Sequence, residues 1–316
     1  MTLLNPISTQ PMISGTQIAG ELAGLISLST VICRDEPLAK HTTLRVGGPA
    51  DVYIEPASEA DLAGVVKYCL RRNLPLFVIG RGSNLLVRDG GFRGVIICLA
   101  HASFRRIEMV RENLHCGAGA KLKNVAVEAK RNGLSGVEFF EGIPGSVGGA
   151  LRMNAGAMGG STFEVLESVR LMDHDGAVRK WTPGEMEVEY RSCDTLKTHI
   201  ALTTVFKCRL APREEIGKRM QEFSEKRWAS QPAAPSAGCL FKNPPEIPAG
   251  KLIDELGLKG TRIGGAVVST AHGNFIVNDG DATARQILEL IATLQARAKQ
   301  ARGIELQPEV EIIGEE

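Results

Sequence analysis

Almost no surplus charge marks this sequence: 37 Lys+Arg against 36 Asp+Glu leave a formal net charge of +1 over 316 residues. A polyanion held by counterion release needs a basic excess, so nucleic acid is not an expected partner. Long apolar runs are missing too, and no window is long enough to span a bilayer. The first thirty residues contain no Lys or Arg, which removes the charged start of a secretory signal. Pro6, Pro11, Gly15 and Gly20 interrupt them, and the stretch 1–38 reads as a flexible extension. The seven cysteines are odd in number and scattered. They form neither a C-x-x-C pair nor a Cys/His zinc spacing, so no metal site is expected and reduced thiols in a cytoplasmic protein fit best.

The standard nucleotide motifs are also missing. VIGRGSN starts like a dinucleotide fingerprint at Gly80 and Gly82, but the third glycine position holds Leu85, and LLV continues as a strand where that fingerprint needs a helix. GAGAKLKN, residues 117–124, has a lysine without the spacing or the following Ser/Thr of a P-loop. Both are nevertheless glycine turns at strand ends, where backbone N–H groups can form anion-binding nests.

What the chain has is glycine, densest in EGIPGSVGGALRMNAGAMGG, residues 141–160. Glycine contributes nothing to packing, so such a cluster marks a place where something lies against the main chain. Ile143, Pro144, Val147 and Leu151 argue for an ordered loop over a linker. Around it strands and helices alternate. A helix begins at Ser58, with Asp61 three residues on and an apolar stripe of Leu62, Val65, Val66, Cys69 and Leu70. LKNVAVEAKRNG is a second helix ended by Gly133, and strands flank the turn DHDG. Past Pro212 a charged helix leads into SQPAAPSAG, read as a domain boundary. The terminal IELQPEVEII reads as a strand, with Ile304, Leu306, Val310 and Ile312 on one face and Glu305, Glu309 and Glu311 on the other.

The segments HTTLRVGGPADVYIEP, VIGRGSNLLV, SGVEFFEGIPGSVGGALRMNAGA, EYRSC, QPAAPSAGCLFKNP, AGKLIDELGLKG and ELQPEVEIIG, in that order, closely resemble the UDP-N-acetylenolpyruvoylglucosamine reductase family from about residue 40 onward. The resemblance implies an α+β protein: a vanillyl-alcohol-oxidase/PCMH-type FAD-binding domain over 40–211, in two subdomains of about 40–103 and 104–211. A smaller α+β substrate-binding domain over 212–303 and a C-terminal strand over 304–316 returning to the active site would complete it. It implies non-covalent FAD, NADPH as hydride donor and a UDP-sugar substrate, with no membrane insertion.

Residue by residue, the resemblance assigns Gly80, Arg81, Gly82, Ser83 and Asn84 to the FAD pyrophosphate. Gly142, Ile143, Pro144, Gly145, Ser146, Gly148, Gly149, Asn154, Ala155 and Gly156 are assigned to the rest of the cofactor. Arg191 matches the arginine at the substrate carboxylate, Glu309 the catalytic glutamate, and Cys239 the proton donor. Tyr190 and Arg227 are candidate contacts to the UDP diphosphate, and Lys242 and Asn243 further substrate contacts. Three positions depart from the common pattern: Cys239 stands where a serine is usual, Ser230 where a lysine is, and Met158 where a tyrosine is. The tyrosine-bearing insertion of one subtype is absent. On the residues alone Glu309 is one of three carboxylates on a solvated strand face and Arg191 an ordinary surface cation. A flavin- or nucleotide-binding module without turnover is the alternative, but it has no need of Arg191, Cys239 and Glu309 together.

Overall fold

Helix α1, Gly15–Ala23, forms where the sequence predicts a flexible extension, in a computed structural model that describes residues 13–316. Ser14 caps it, accepting from the Gln17 amide at 3.3 Å. The deciding pair is Ile18 and Leu22, one turn apart and 1% and 0% exposed. A helix of 9 residues is marginal by itself, yet burying two such side chains contributes about 1.5–3 kcal/mol each. Glu21 also accepts from the Tyr68 hydroxyl at 3.1 Å, and buried Asp61 takes the Ser27 amide at 2.7 Å. The expected flexibility over 1–38 is therefore corrected from residue 13 onward, because local breakers gave no sign of these distant contacts; the first twelve residues of that span lie outside the described ones.

The described chain divides into two compact units: one holds residues 13–36, Asp51–Arg81 and Gly94–Glu225, the other Pro37–Ala50, Gly82–Arg93 and Lys226–Glu316. In the first, a four-stranded sheet runs Val31–Pro37, Pro49–Glu55, Phe92–Cys98, Leu76–Ile79, with the last pair parallel. A five-stranded antiparallel sheet runs Val178–Trp181, Leu166–Met172, Ile200–Lys207, Asn113–Gly117, Ile107–Val110. Helix α2, Glu59–Arg72, starts where its sequence signals it, the Ser58 hydroxyl accepting from the Asp61 amide at 3.1 Å. Of its expected stripe Leu70 is half-buried, and Tyr68 takes a place in the core. Helix α3, Leu122–Arg131, ends at Asn132 with Gly133 behind it at φ 66°, the left-handed conformation glycine adopts freely. Helix α4, Val147–Arg152, opens the glycine stretch after Ser146. These elements share one core, in which Leu62, Leu122, Leu151, Phe140 and Phe206 are buried and the two phenylalanine rings meet edge-on at 5.1 Å.

Helix α5, Arg213–Ser230, carries the division between units inside it, after Glu225. The proline-alanine segment read as a boundary instead lies within the second unit: the Asn278 amide donates to the Pro235 carbonyl at 2.9 Å, and Ser236 bridges Val277. This unit also recruits two early segments that the sequence reading left in the cofactor domain. Leu44, Val46 and Leu86 share a core with Leu240, Phe241, Ile287 and Leu290. Its other elements are helix α6, Ala249–Glu255, helix α7, Ala284–Arg302, and a small antiparallel sheet of Arg262–Ile263, Ala266–Val268 and Ile276–Asn278. Asp89 accepts from the Ala284 and Arg285 amides, both at 2.9 Å, and so caps α7 from far along the chain. The C-terminal strand is shorter than its alternation predicts. Glu311–Ile313 pairs in parallel with Leu85–Val87, but residues 304–310 form no strand: they make an isolated antiparallel bridge of Pro308 with Phe241, and their backbone turns to the 240–242 loop instead of extending the ladder. No described helix is long and apolar enough to cross a membrane, and no three described His, Cys, Asp or Glu side chains are grouped to hold a metal.

Candidate active site

In the first unit the glycine turns are meshed with one another. The Val147 amide donates to the Ala120 carbonyl at 2.9 Å, that of Gly148 to Ala118 at 2.8 Å, and that of Leu122 to Gly145 at 3.2 Å, so the GAGA turn and the 141–160 stretch interlock. A Cβ on Gly80 would stand 2.6 Å from the Ser146 hydroxyl, and one on Gly148 would stand 3.3 Å from Ala118. The bare backbone thus serves first to let the turns approach each other. Gly142 is different: it is buried, yet nothing lies within 4 Å of where its Cβ would be. That gap in the wall of the glycine stretch is the kind of cradle a flat cofactor fits.

The hairpin of Val188–Glu189 and Ser192–Cys193 turns on Tyr190 and Arg191, and Arg191 takes φ 60°. Its guanidinium lies beside Gly156, where a Cβ would be 3.4 Å from a terminal guanidinium nitrogen. Asn154 links this hairpin to the glycine stretch, donating from Nδ2 to the Glu189 carbonyl and accepting at Oδ1 from the Phe163 amide, both at 3.3 Å. Asn154 and Met158 also have positive φ, 38° and 53°. Three non-glycine residues in this conformation around one space is the pattern of strain held at a functional site. Together they line an open cleft of about 440 Å3 with Tyr190, Ser161 and Glu164. Arg191, Tyr190, Asn154 and Gly156 all line this cleft. Sequence reasoning missed Ser161 and Glu164, which form a capping box with the Ser161 amide donating to Glu164 at 3.0 Å; the S-x-x-E spacing was its available signal.

Arg81 stays with Gly80 in the first unit, whereas Gly82, Ser83 and Asn84 of GRGSN belong to the second. A Cβ on Gly82, at φ 58°, would stand within 2.3 Å of the His41 carbonyl oxygen. The Asn84 side chain donates to the Glu309 carbonyl at 3.1 Å and its own carbonyl accepts the Glu311 amide at 3.1 Å, so this asparagine faces the C-terminal segment. Glu309 is half-buried, and its amide donates to the Leu240 carbonyl at 2.6 Å, one residue past Cys239. The Lys242 amide donates to the Gln307 carbonyl at 2.9 Å. Cys239, Lys242 and Glu309 therefore lie on two chain segments bonded to each other, whereas the catalytic candidate Arg191 belongs to the other unit. Asn243 accepts the Ala249 amide at 3.1 Å and caps α6, and Arg227 on α5 lies over the Trp228 ring with 5.1 Å to its centroid.

A residue the sequence reading passed over holds this loop: Asn274, 2% exposed, donates to the Phe241 carbonyl at 2.8 Å and accepts the Phe241 amide at 3.0 Å. The Asn274 amide in turn donates to His272 Nδ1 at 3.1 Å. Burial, together with the charge of Lys259, pushes the His272 imidazole below its usual value, which keeps that nitrogen available as an acceptor. An asparagine in the apolar run GNFIVN was the sign available.

Residues 231–313 match the UDP-N-acetylenolpyruvoylglucosamine reductase C-terminal domain, and residues 50–182 match an FAD binding domain. These matches agree with the α+β fold and FAD cofactor expected from the sequence, and the open wall at Gly142 fits such a group. A UDP-N-acetylenolpyruvoylglucosamine reductase of Heliobacterium modesticaldum is 45% identical over 286 residues, 89% of this chain and 90% of the relative. That of Syntrophomonas wolfei is 42% identical over 284 residues, 89% of this chain and 95% of the relative. The crystal structure of UDP-N-acetylenolpyruvylglucosamine reductase from Thermus caldophilus is similar with a TM-score of 0.76 at 39% identity, covering 90% of this chain and 98% of that one. With identity of this order over nearly the whole length of each relative, the chain belongs to the UDP-N-acetylenolpyruvoylglucosamine reductase family.

Proposed function

We propose that this protein reduces UDP-N-acetyl-3-O-(1-carboxyvinyl)-glucosamine to UDP-N-acetylmuramate with NADPH, in the cytoplasm, as a step of peptidoglycan precursor synthesis. Non-covalent FAD, when bound, would supply the hydride chemistry between NADPH and the sugar. The first unit carries most of the residues assigned to the cofactor, and the second most of those assigned to the substrate.

Addition of hydride to the terminal enolpyruvyl carbon leaves carbanion-like charge beside the substrate carboxylate. Arg191 holds that carboxylate, since its planar fork pairs with both oxygens and stays charged at any working pH. Glu309 is the second group assigned to the same growing charge. The Cys239 thiol gives its proton to the carbon next to the carboxylate, and the thiolate left behind regains a proton from water. Atoms balance: one hydride and one proton are added across one double bond. Tyr190 and Arg227 are assigned to the diphosphate, and Lys242 and Asn243 to the remaining polar groups of the UDP-sugar.

The observation that supports this reading is the bond from the Glu309 amide to the Leu240 carbonyl, which joins the backbone segment that carries Glu309 to the one that carries Cys239. The test is anaerobic reduction of the purified protein with NADPH followed by addition of the enolpyruvyl UDP-sugar. Prompt flavin reoxidation is expected. A reduced flavin that persists in the presence of the sugar would overturn the assignment.

A further inference from the structure

We infer that Asn274 is a positioning residue for the reaction, holding the Cys239 thiol in register with Glu309. The inference rests on the roles proposed above for those two residues. Every hydrogen bond of Asn274 described here except that to His272 goes to the two residues after Cys239. Its carbonyl accepts the Leu240 amide at 2.9 Å, and its side-chain amide grips both the N–H and the C=O of Phe241. The Leu240 peptide is thereby held from both sides, with Asn274 at its N–H and Glu309 at its C=O. Moving Asn274 moves the peptide that links thiol and carboxyl.

Asparagine suits this place because its side chain carries a donor and an acceptor spaced as on a strand edge, so it answers both backbone groups of one residue. Leu240 and Phe241 are each 1% exposed, which leaves little water to replace a lost partner. Aspartate has nearly the same shape but lacks the donor, and would set an oxygen against the Phe241 carbonyl. Serine is smaller and leaves room for a bridging water, which preserves the fold while loosening the loop.

The test uses the FAD-loaded full-length protein with Asn274→Asp and Asn274→Ser, each in the parent and in a Cys239→Ala background. Flavin reduction by NADPH and flavin reoxidation by the enolpyruvyl UDP-sugar are read separately. Loosening the loop should slow reoxidation by about 10- to 100-fold, the loss that small misplacements of reacting groups produce, and should leave reduction within about twofold of the parent. In the Cys239→Ala background the same substitutions should add almost nothing, because residues acting through one group are not additive. Rescue belongs to serine, which should lie closer to the parent than aspartate does. If the slowing recurs in full without the thiol, or if both half-reactions fall together, Asn274 serves the fold and the inference is overturned, while the proposed function stands. If Cys239→Ala alone reoxidises like the parent, the assignment of the acid fails, and the positioning role fails with it.

Discussion

Arg191 and Cys239 are carried by different kinds of structure. In the first unit, Arg191 sits at the tip of a two-residue turn with φ 60°, facing Asn154 and Met158, also in left-handed backbone, across a cleft made of short local hairpins. In the second, Cys239 and Glu309 depend on partners far away in the chain: Asn274 grips Phe241 across 33 positions, and Asn84 reaches Glu309 across 225. A cation that must only bind a carboxylate can be set by a strained turn beside an open space. The residue proposed as proton donor sits instead on a loop held by several hydrogen bonds from separate segments.

The largest expected effect separates chemistry from cofactor reduction. Cys239→Ala should slow flavin reoxidation by the sugar by roughly 10²- to 10⁴-fold, the range of a positioned acid, and Cys239→Ser should retain much of the rate. Arg191→Ala and Glu309→Gln should fall on the same half-reaction, with reduction by NADPH nearly unchanged. Stopped-flow measurement of both half-reactions checks this, and equal losses in both would erase the distinction drawn between the two units.

Next in size is the contribution of α1 to the first unit. Leu22 is fully buried, and Leu22→Ala should cost about 2–5 kcal/mol of stability, as for other buried leucines. Thermal or denaturant unfolding of the apoprotein reads it directly. A loss below about 0.5 kcal/mol, the level of ordinary surface substitutions, would return the segment to the status of an extension.

Glycines sharpen the comparison further. Gly82→Ala should be destabilising by about 1–3 kcal/mol or more, since it meets both a positive φ and the His41 carbonyl. Gly142→Ala has open space before it, so apoprotein stability should change by less than about 1 kcal/mol while FAD affinity falls. Titration of apoprotein with FAD, followed by flavin fluorescence, distinguishes a cradle from a mere gap: unchanged affinity would mean that the cofactor does not lie against Gly142.

The smallest effect concerns pH. Burial would raise the Asp61 carboxyl, but the Ser27 amide and the hydroxyls of Ser58, Ser27 and Thr30 outweigh it and hold the group below the usual carboxylate value. Because the folded value is the lower one, its stabilisation is present above the unfolded value of about 3.9 and is lost as pH falls through the folded value. Asp61→Asn should therefore be less stable at pH 7 by about 1 kcal/mol, and its stability should decline less than the parent's between pH 4 and about 2. Parallel acid-unfolding curves would contradict this.

Much was legible in the residues because it is local. Ser58 and Asp61 mark the start of α2, Gly133 the end of α3, and the glycine turns announce close approach of backbones, each within a few positions of the chain. The family resemblance supplied Arg191, Cys239 and Glu309, none of which differs by composition or spacing from ordinary surface or small-residue positions. Tertiary structure alone decided the rest. It placed Ile18 and Leu22 in a core, drew Leu44, Val46 and Leu86 into the second unit, turned residues 304–310 from strand into a grip on the 240–242 loop, and set Asn274 under that loop. The physical reason is the same in each case: hydrophobic burial and hydrogen bonding depend on which groups are adjacent in space, and these partners lie tens to hundreds of residues apart, beyond the reach of any local periodicity.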